Sequence, residues 1–437
     1  MLVVACLWLT GLHGQNAFNI PHSQFGIGIS ELPYNTPMAT RMGGAIYTRS
    51  GHNFINPFNP ASYAAIQMES FVFDMGFNIQ TSTIKAQDNT AYDADGNIGY
   101  MMMGMPITKH WKLAFGLMPF STVDYETLAM QESTELGSVK NVYNGTGGVN
   151  QVFLGSAFNL LQGRPDGKQL QIGINANYMT GDIERALSYA FPGSDSTYAL
   201  NGRRYKKTSF SNLFLDFGLQ YMQPLTEKIG IGVALTYKPY MHTSIRDNAL
   251  IYTYHTYDES LVDTIFPARN GDSDFKSSLE QPHTFGVGVN LTYNRLWNFA
   301  ADYTFSTHNG LVYKENEDIN IFGHTSLDDE SFQRIAAGIE KVGNMDASSY
   351  WGRMSWSIGV HRETGAMYMN HNGSASRIDE WGIGAGITLP MRKGQSQLGL
   401  SVAYSSFGSK DILQRNTLTF GIAVSSCEKW FSKRKYN

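Results

Sequence analysis

The chain has 437 residues, a formal net charge of −4 at pH 7 and 44 glycines. This balance leaves no basic excess of the kind that a nucleic-acid partner requires, so none is expected. No stretch approaches the roughly 20 consecutive apolar residues of a membrane-spanning helix, so any membrane crossing must use strands.

The chain begins with an apolar run, Leu2–Leu12. Such a run is typical of a secretory signal, and we expect residues 1–14 to be a signal peptide. The first basic residue is Arg41, so the charged region that normally precedes the apolar run is missing. We therefore expect the true start of the protein to lie upstream of Met1.

Residues 15–67 show no alternation of apolar and polar side chains and are rich in glycine, proline and asparagine. Proline and asparagine at this density specify turns and stop strands. The segment precedes a long series of strands and is too long for a simple tail. We expect it to form a hatch that plugs the space enclosed by those strands, because a barrel interior must be filled or become a water channel.

From residue 70 onward, short segments of about ten residues alternate apolar side chains with small or polar ones. The clearest are Thr284–Tyr293 and Asn416–Ser425. A soluble sandwich would turn its apolar face inward and long polar side chains outward, whereas here the second face carries mainly small residues. This pattern is typical of a transmembrane β-barrel, which is apolar toward lipid and polar within.

The alternation predicts an all-β protein in which residues 68–437 form a 14-stranded antiparallel transmembrane barrel. The strands are expected to begin near Ser70, Tyr100, Trp111, Gln151, Leu170, Ser211, Ile229, Thr284, Trp297, Phe332, Met354, Trp381, Leu398 and Thr417. Long loops are expected at Val123–Asn150, Ser188–Thr208, Met241–Gln281 and Asn309–Ser331. Short turns at one end and long loops at the other are typical of outer-membrane barrels with periplasmic turns, and an even strand count returns both termini to the periplasm.

Tryptophan positions agree with this orientation. Trp111 and Trp297 begin strands at the turn end, and Trp381 begins a strand at the loop end. Each falls at an expected headgroup level, where outer-membrane barrels carry aromatic girdles. We therefore expect phospholipid and lipopolysaccharide of a Gram-negative outer membrane as the surroundings of the barrel.

Two short motifs before the first strand resemble the hatch of the FadL-type transporters of long-chain fatty acids and other hydrophobic compounds. They comprise Met42, Gly43, Gly44 and Ala45, and then Asn59, Pro60 and Ala61. The basic ending over residues 429–435 is similar to that of Bacteroidetes members of the superfamily. The resemblance implies fourteen strands, an N-terminal hatch and passive uptake of a hydrophobic molecule, with hatch movement linked to release, often sideways into the bilayer. On this analogy the Asn59–Ala61 turn anchors or hinges the hatch, although a simple turn cap explains it equally.

Ionisable residues that the alternation places inside the barrel leave two readings open. They are Asp74, Lys112, Asp216, Lys238, Asp302, Arg334, Glu340, His361 and Glu380. In the first reading they line a solvated wall or form ion pairs that hold the plug, since buried charges normally pair. In the second, Lys238 or Arg334 binds the carboxylate of a ligand.

Four methionines are the candidates for an apolar ligand wall. Met101, Met103 and Met105 are expected on the inward face of the second strand, and Met118 on the inward face of the third. Flexible thioethers adapt to irregular apolar shapes. Contact with a hydrophobic ligand and packing against the plug are both consistent with this placement.

Motifs of catalysis are absent: the chain has no Gly-x-Ser-x-Gly elbow and no His-Glu-x-x-His helix. Cys6 falls in the signal and Cys427 is alone, so neither a disulfide nor a paired cysteine ligand is expected. The sequence predicts no enzyme, no metal and no cofactor.

A different class of function stays open. One branch of the same superfamily binds protein cargo in type IX secretion, and this chain could serve there or in another outer-membrane assembly. The expected loop over 251–274 carries Tyr252, Tyr254, His255, Tyr257 and Phe266 among acidic residues, which suits contact with a protein partner. A general porin is disfavoured by the hatch.

Overall fold

The computed structural model describes Ser23 and residues 26–30, 36–86, 89–133, 137–161, 167–191, 200–255, 261–266, 274–308, 310–316, 331–371, 374–391, 396–409 and 413–429. The expected signal peptide lies outside these residues. The strands before the middle of the chain are β1 (Ile29–Ser30), β2 (Ser70–Ala86), β3 (Asn89–Pro106), β4 (Trp111–Ser133), β5 (Gly137–Asn159), β6 (Gln169–Ala190), β7 (Leu200–Pro224), β8 (Ile229–Lys238) and β9 (Met241–His255). They are followed by β10 (Leu261–Phe266), β11 (Asp274–Gln281), β12 (Thr284–Tyr293), β13 (Trp297–Ser306), β14 (Val312–Lys314), β15 (Phe332–Lys341), β16 (Ser355–His371), β17 (Ser374–Met391), β18 (Ser396–Ser409) and β19 (Leu413–Lys429).

Helical structure is limited to short turns in the described residues. These are α1 (Pro37–Thr40), a 3-10 helix over Pro60–Ala65 and α2 (Tyr350–Arg353). None of the described helices has the length and apolar character needed to cross a membrane.

Fourteen of the described strands form a closed antiparallel barrel. They are β2 to β8, β12, β13 and β15 to β19, and each pairs with the next in this order. The ring closes between β19 and β2, where Lys429 pairs with Ser70 and Gln414 with Lys85. The predicted fold class and strand number are confirmed.

Two of the expected long loops are wrong, because the wall extends much further. Val123–Asn150 consists mainly of the continuing β4 and β5, which stay paired from Val123 and Gly147 to Ser133 and Gly137. Most of Ser188–Thr208 likewise belongs to β6 and β7. Both faces of these extensions carry polar residues, so the contrast between faces that reveals a strand in sequence is lost there.

The other two expected loops contain a small sheet that continues beyond the barrel. β9 pairs with the first half of β7, β11 pairs with β9, and β14 pairs with β11. Two interruptions separate this sheet from the barrel strands, one at Pro239 after β8 and one at Pro282 before β12. Proline cannot donate to a ladder, which accounts for a break in the strand at each of these points.

The two faces of the wall differ as the sequence predicts. Along β15 every second residue is buried, beginning at Phe332, and the alternate residues are exposed. Exposed positions of the wall carry large apolar side chains such as Ile335 and Ile339. An apolar outer face of this kind is suited to lipid.

Residues 36–67, here called the inner segment, lie inside the barrel and explain the small residues of the inward face. A methyl group added at Gly338 or Gly359 would overlap the backbone of Met42. One added at Gly384 would overlap the carbonyl of Thr40. The inward glycines therefore let the backbone of the inner segment lie directly against the wall.

Candidate functional site

The first motif of the inner segment is a tight turn against the wall. Gly43 and Gly44 have φ values of 62° and 86°, a region that favours glycine. A side chain at Gly43 would also overlap the backbone of Val360. Met42 and Ala45 are fully buried and pack against Ala336 and other small wall residues. The motif therefore allows the backbone of the inner segment to lie directly against the backbone of the wall.

The second motif ties two parts of the inner segment together. The Asn59 side chain accepts a hydrogen bond from the Ala61 N–H at 3.1 Å, which caps the 3-10 helix that begins at Pro60. Its amide nitrogen donates to the Tyr47 carbonyl at 2.7 Å. Asn59 is thus a cap, as one reading of the sequence holds, and also a link to the first half of the segment.

Three buried wall carboxylates hold the inner segment. Asp302 accepts the backbone N–H groups of Ile46 and Tyr47 at 2.5 and 2.7 Å. Asp74 accepts the backbone N–H of Ile55 at 3.4 Å. The third carboxylate, Glu340, is paired with two guanidinium groups.

Glu340 joins the wall to residues on either side of the first motif, Arg41 before it and Arg49 after it. The carboxylate forms an ion pair with Arg49, whose Nη2 is 3.1 Å from Oε1, and lies 3.6 Å from Arg41 Nη2. All three side chains are buried. Glu340, Arg41 and Arg49 thus form buried ion pairs between the wall and the inner segment.

The two residues expected to meet a ligand carboxylate have partners within the barrel. Arg334 donates a hydrogen bond to the Tyr47 hydroxyl at 3.2 Å, and its guanidinium lies 5.8 Å from the centre of that ring. Lys238 is 3.9 Å from Asp216 and is partly exposed. Arg334 therefore contacts the inner segment, whereas Lys238 lies near Asp216 of the wall.

The expected inward placement of Met101, Met103 and Met105 is wrong. Met102 and Gly104 face the interior instead, and the three predicted methionines are on the outer face. The cause is a β-bulge: Gly76 pairs with Tyr100 and Phe77 with Ile98, which leaves Gly99 as an extra residue. One extra residue reverses the direction of every side chain that follows.

Met118 does face inward, as expected. It is buried in an apolar cluster with Met102, Phe153 and residues of the inner segment, including Tyr63 and Ile66. Met118 therefore packs against the inner segment.

A second apolar cluster fills the barrel on the long-loop side of the inner segment, and we call it the outer cluster. Its buried members are Ile27, Phe120, Val123, Tyr125, Val149, Met179, Ile183, Phe210, Phe214, Ile245, Leu279 and Leu311. The sequence analysis missed this cluster. A signal was present, because Phe210 and Phe214 share the face of β7 with Asp216, which was placed inside.

The wall beside the outer cluster has a seam between β3 and β4. These strands pair only from Met101 with Leu117 to Pro106 with Lys112. Beyond that point β3 continues with β2 as far as Asn89, and β4 continues with β5 as far as Ser133. Two bulges lie where the pairing ends, at Gly99 in β3 and at Phe120 in β4.

The seam begins beside exposed apolar side chains of the outer face. Ile98 lies beyond the last β3–β4 pair and its side chain is 51% exposed on the outer face. Pro119 stands next to the bulge of β4 and cannot donate to a ladder. The bulges and the proline together account for the divergence of the two strands.

Ser23 and residues 26–30, here called the seal, occupy the edge of β4 at this seam. β1 pairs with β4 through Ile29 opposite Thr122 and Ser30 opposite Ser121. The Ser23 hydroxyl accepts the N–H of Asp124 at 3.1 Å and lies 3.3 Å from its carbonyl oxygen.

The seal is also attached to the interior. Ile27 is buried in the outer cluster. Arg185, a buried residue of β6, donates to the Gly26 carbonyl at 2.7 Å. The seal therefore separates the outer cluster from the seam and from the lipid outside it.

Polar contacts cover the outer cluster at the long-loop end. Lys206 forms an ion pair with Glu315, and the Tyr313 hydroxyl donates to Asp247 at 2.8 Å. Burial raises the pKa of Glu315 and lowers the pKa of Lys206, because each charge is removed from water. Leu311, just before β14, is itself a buried member of the outer cluster, so the segment that makes these polar contacts also packs into the cluster.

In the part of the chain that the structure describes, no group of three or more His, Cys, Asp or Glu side chains is arranged to hold a metal ion. The assembled features are a closed 14-strand barrel with an apolar outer face and a filled interior. They define an integral β-barrel of the outer membrane.

Within that class, the sequence model of the BamG family matches residues 1–437, and the chain belongs to this family. No curated protein sequence matches the chain at a significant level.

Solved structures show the same fold at low sequence identity. The monoaromatic hydrocarbon channel CymD superposes with a TM-score of 0.52 at 13% identity, covering 95% of this chain and 100% of its own. The Pseudomonas putida toluene transporter TodX superposes with a TM-score of 0.55 at 14% identity, covering 90% of this chain and 97% of its own. The expected FadL-type architecture is thereby confirmed at the level of the fold.

Proposed function

We propose that this protein passes small hydrophobic compounds across the outer membrane without an energy source. The compound enters from the long-loop side, displaces side chains of the outer cluster and leaves sideways through the seam between β3 and β4. The single observation that carries this proposal is the position of the outer cluster behind the seam, where the seal is the segment that lies between them in the described part of the chain.

The chemistry of the outer cluster selects the class of compound. Its buried side chains are aliphatic or aromatic, and the hydroxyl of Tyr125 is the one polar group among the buried members. A polar solute would lose its hydrogen bonds to water there without gaining replacements. An apolar solute makes no such hydrogen bonds, so it has no such cost. Hydrophobic compounds are also those that a lipopolysaccharide leaflet admits poorly.

The inner segment makes a straight path through the barrel unfavourable. We propose that residues 15–67 act as the hatch, held by Asp74, Asp302 and Glu340 of the wall. Releasing the hatch would leave buried charges without their partners, which costs free energy. Among the described residues, displacing the seal breaks a two-residue strand and the hydrogen bonds of Ser23 and Gly26, and no buried ion pair of the seal is seen there, so we propose that the sideways route has the smaller barrier.

The orientation follows from the two ends of the barrel. We propose that the short turns and both termini are periplasmic and that the extended end faces outward, as in outer-membrane barrels generally. Phospholipid and lipopolysaccharide then surround the apolar face.

The structural neighbours support the same class of compound, since CymD and TodX are described as a monoaromatic hydrocarbon channel and a toluene transporter. Long-chain fatty acids are a finer proposal. Their carboxylate would meet Arg185 and Lys206, which border the outer cluster, in place of the expected Arg334, which contacts Tyr47. No step of this route makes or breaks a covalent bond, so we propose no enzymatic role.

A locked seal tests the route directly. Ile29→Cys combined with Thr122→Cys places two thiols at directly paired positions, where the Cα separation of an antiparallel ladder permits a disulfide. Cys427→Ser removes the other mature cysteine. Uptake of radiolabelled toluene by cells producing the oxidised variant should fall to the level of cells without the barrel, and dithiothreitol should restore it.

The two single-cysteine variants are the matched controls and should transport like the parent. Equal uptake of toluene by the oxidised and the reduced variant would contradict the proposed sideways route. If uptake of both toluene and oleate is at background for every variant, including the parent, the hydrophobic-transport proposal itself fails.

A second candidate function is the binding of a protein partner at the extended end. The observation in its favour is the small sheet of β9, β11 and β14, which stands beyond the barrel and carries Tyr252 and Tyr254 with rings 6.3 Å apart. Native mass spectrometry after mild solubilisation distinguishes the two. A stoichiometric apolar molecule supports transport, and a retained protein with bulk lipid alone supports the second function.

A further inference from the structure

A lysine lies between two tryptophans on the outer face of the wall, close to the short turns. It is Lys341, the last residue of β15. It pairs directly with Trp297 of β13 on one side and with Trp356 of β16 on the other, so the three side chains share the outer face. The Lys341 ammonium lies 6.0 Å from the centre of the Trp297 ring. In the part of the chain that the structure describes, no carboxylate lies within ion-pair distance of this ammonium.

A third tryptophan belongs to the same surface. Residues 342–354 form the turn from β15 to β16 and include α2. Trp351 of this turn is 69% exposed. Its ring stacks on that of Trp356, with the centroids 6.1 Å apart and 15° between the planes. The turn therefore extends the aromatic surface past the end of the wall.

Hydrogen bonds across the turn hold this tryptophan in place. The Asn344 N–H donates to the Gly352 carbonyl at 2.9 Å. The Arg353 guanidinium donates to the Ala347 carbonyl at 3.0 Å. A ring that is fixed before a ligand arrives loses little conformational entropy when the ligand binds.

The three indole N–H groups are available as donors. Another tryptophan near the short turns, Trp111, donates its indole N–H to the Ser156 hydroxyl at 2.8 Å. Among the described residues, no protein acceptor is found for the indole N–H of Trp297, Trp351 or Trp356. An ammonium beside indole donors matches the acceptor oxygens of a phosphate group.

Charge around the lysine favours a ligand with a net negative charge. The two turns beside the site, 294–296 and 342–354, contain Arg295 and Arg353. Their one acidic residue is Asp346. Basic residues near a membrane surface attract anionic lipids.

The position on the wall identifies the source of the phosphate. The next outward row toward the middle of the wall consists of Phe299, Ile339 and Ile358, which are directly paired. All three are exposed. Lysine and tryptophan at the border of such an apolar face lie at the headgroup level. A phospholipid can place its phosphate at the lysine and its acyl chains along this row, whereas a free phosphate would use none of these apolar contacts.

From this geometry we propose that Lys341, Trp297 and Trp356 bind the phosphate of an anionic phospholipid in the leaflet on the short-turn side. In the orientation proposed above this is the periplasmic leaflet. The lysine supplies the charge, the indole N–H groups supply hydrogen bonds, and Trp351 forms the rim of the site. The site lies on the outer face at β13 to β16, so it does not depend on the hydrophobic route through the interior and the β3–β4 seam.

The test is native mass spectrometry of the full-length barrel in a non-ionic detergent. The barrel is titrated with dimyristoyl phosphatidylglycerol or with dimyristoyl phosphatidylcholine, and each bound lipid adds a resolved mass. The parent should bind the first phosphatidylglycerol more tightly than the first phosphatidylcholine. Lys341→Gln should weaken phosphatidylglycerol binding by about tenfold, which corresponds to about 1.4 kcal/mol, and should abolish the preference. Lys341→Arg should keep it.

Matched controls separate this site from general attraction. Lys228→Gln removes an exposed lysine from the short turn after β7, which has no tryptophan, and should leave the preference unchanged. Trp356→Leu should weaken phosphatidylglycerol binding. Trp111→Leu should not, because that indole N–H is already bonded to Ser156. Mobility in unheated gels confirms that each variant is a folded barrel.

Two results would overturn the proposal. Equal loss of phosphatidylglycerol binding in Lys341→Gln and Lys228→Gln would show attraction by overall charge alone. A preference for phosphatidylglycerol that survives Lys341→Gln would place the lipid elsewhere. If inorganic phosphate binds in a manner that requires Lys341 while phosphatidylglycerol does not, the occupant is a free anion and the proposed lipid is wrong.

Discussion

At the scale of single residues, the inner segment is held by charged side chains that the alternation pattern placed inside the barrel. It also lies against glycines of the wall, and the sequence did not show why glycine is needed at those positions. The alternation placed Asp74, Asp302 and Glu340 inside, and each contacts the inner segment. Each carboxylate has partners on the segment that replace the water lost on burial. These residues therefore position the inner segment within the barrel.

Glu340→Gln should release the first half of the inner segment. The substitution leaves the buried Arg41 and Arg49 without a counter-charge, and breaking such a buried pair costs about 3–5 kcal/mol. Hydrogen exchange followed by mass spectrometry should show faster exchange over residues 36–50. Asp346→Asn, on the exposed turn before α2, is the control and should leave the exchange unchanged. Unchanged exchange in both variants would show that the ion pairs do not hold the segment.

Gly359→Ala should disturb the same region for a steric reason. The added methyl group overlaps Met42 and Gly43, and overpacking of this kind costs about 1–3 kcal/mol. Gly399→Ala is the matched control, because its methyl group would lie 3.5 Å from the Ala423 Cβ in ordinary contact. Thermal unfolding of the two variants in the same detergent measures the difference. Equal midpoints would contradict the close contact between the wall and the inner segment.

At the scale of elements, two bulges decide the character of the β3–β4 boundary. Gly99 in β3 and Phe120 in β4 each add a residue next to the last pair, Met101 with Leu117. The first bulge turns Met102 inward and Met101 outward, and the second bends β4 away. The seam and the misplaced methionines thus have a common origin.

Cysteine labelling can test the direction of these side chains. Met101→Cys and Met103→Cys should react with a maleimide that partitions into lipid, because both positions face outward. Met102→Cys should resist it, since this side chain is buried against the inner segment. The background is Cys427→Ser. Reaction at residue 102 with protection at 101 and 103 would show that the bulge is absent and that the sequence-based placement was right.

At the scale of the whole molecule, the barrel is filled in two layers. The inner segment occupies the part near the short turns, and the outer cluster occupies the part near the extended end. A barrel of this size without a filling would hold water. Passage straight through is therefore blocked twice, whereas the described part of the wall has the seam between β3 and β4 beside the outer cluster.

Planar-bilayer recording should distinguish this arrangement from a porin. The full-length barrel should give little conductance, whereas deletion of residues 15–60 removes the hatch and the seal and should give a large, steady conductance. Refolding of the deletion variant is checked by its mobility in unheated gels. A large conductance of the full-length protein would assign it to the general porins.

The sequence by itself determined the strand number, the two faces of the wall, the motif residues of the inner segment and the inward position of the ion-pairing charges. These properties follow from a two-residue period and from short turn motifs, both of which are local. Thr284–Tyr293 shows this, because the structure has a strand with the same bounds.

Only the tertiary structure decided what those residues face. A single bulge reversed the direction of the Met101, Met103 and Met105 side chains, and the residues after Gly99 show no pattern that predicts the bulge. The outer cluster unites Ile27, Phe210 and Leu311 from distant parts of the chain, and the seam depends on how far β3 and β4 remain paired. Contacts between residues so far apart in sequence arise from packing in three dimensions, and a local pattern carries no record of them.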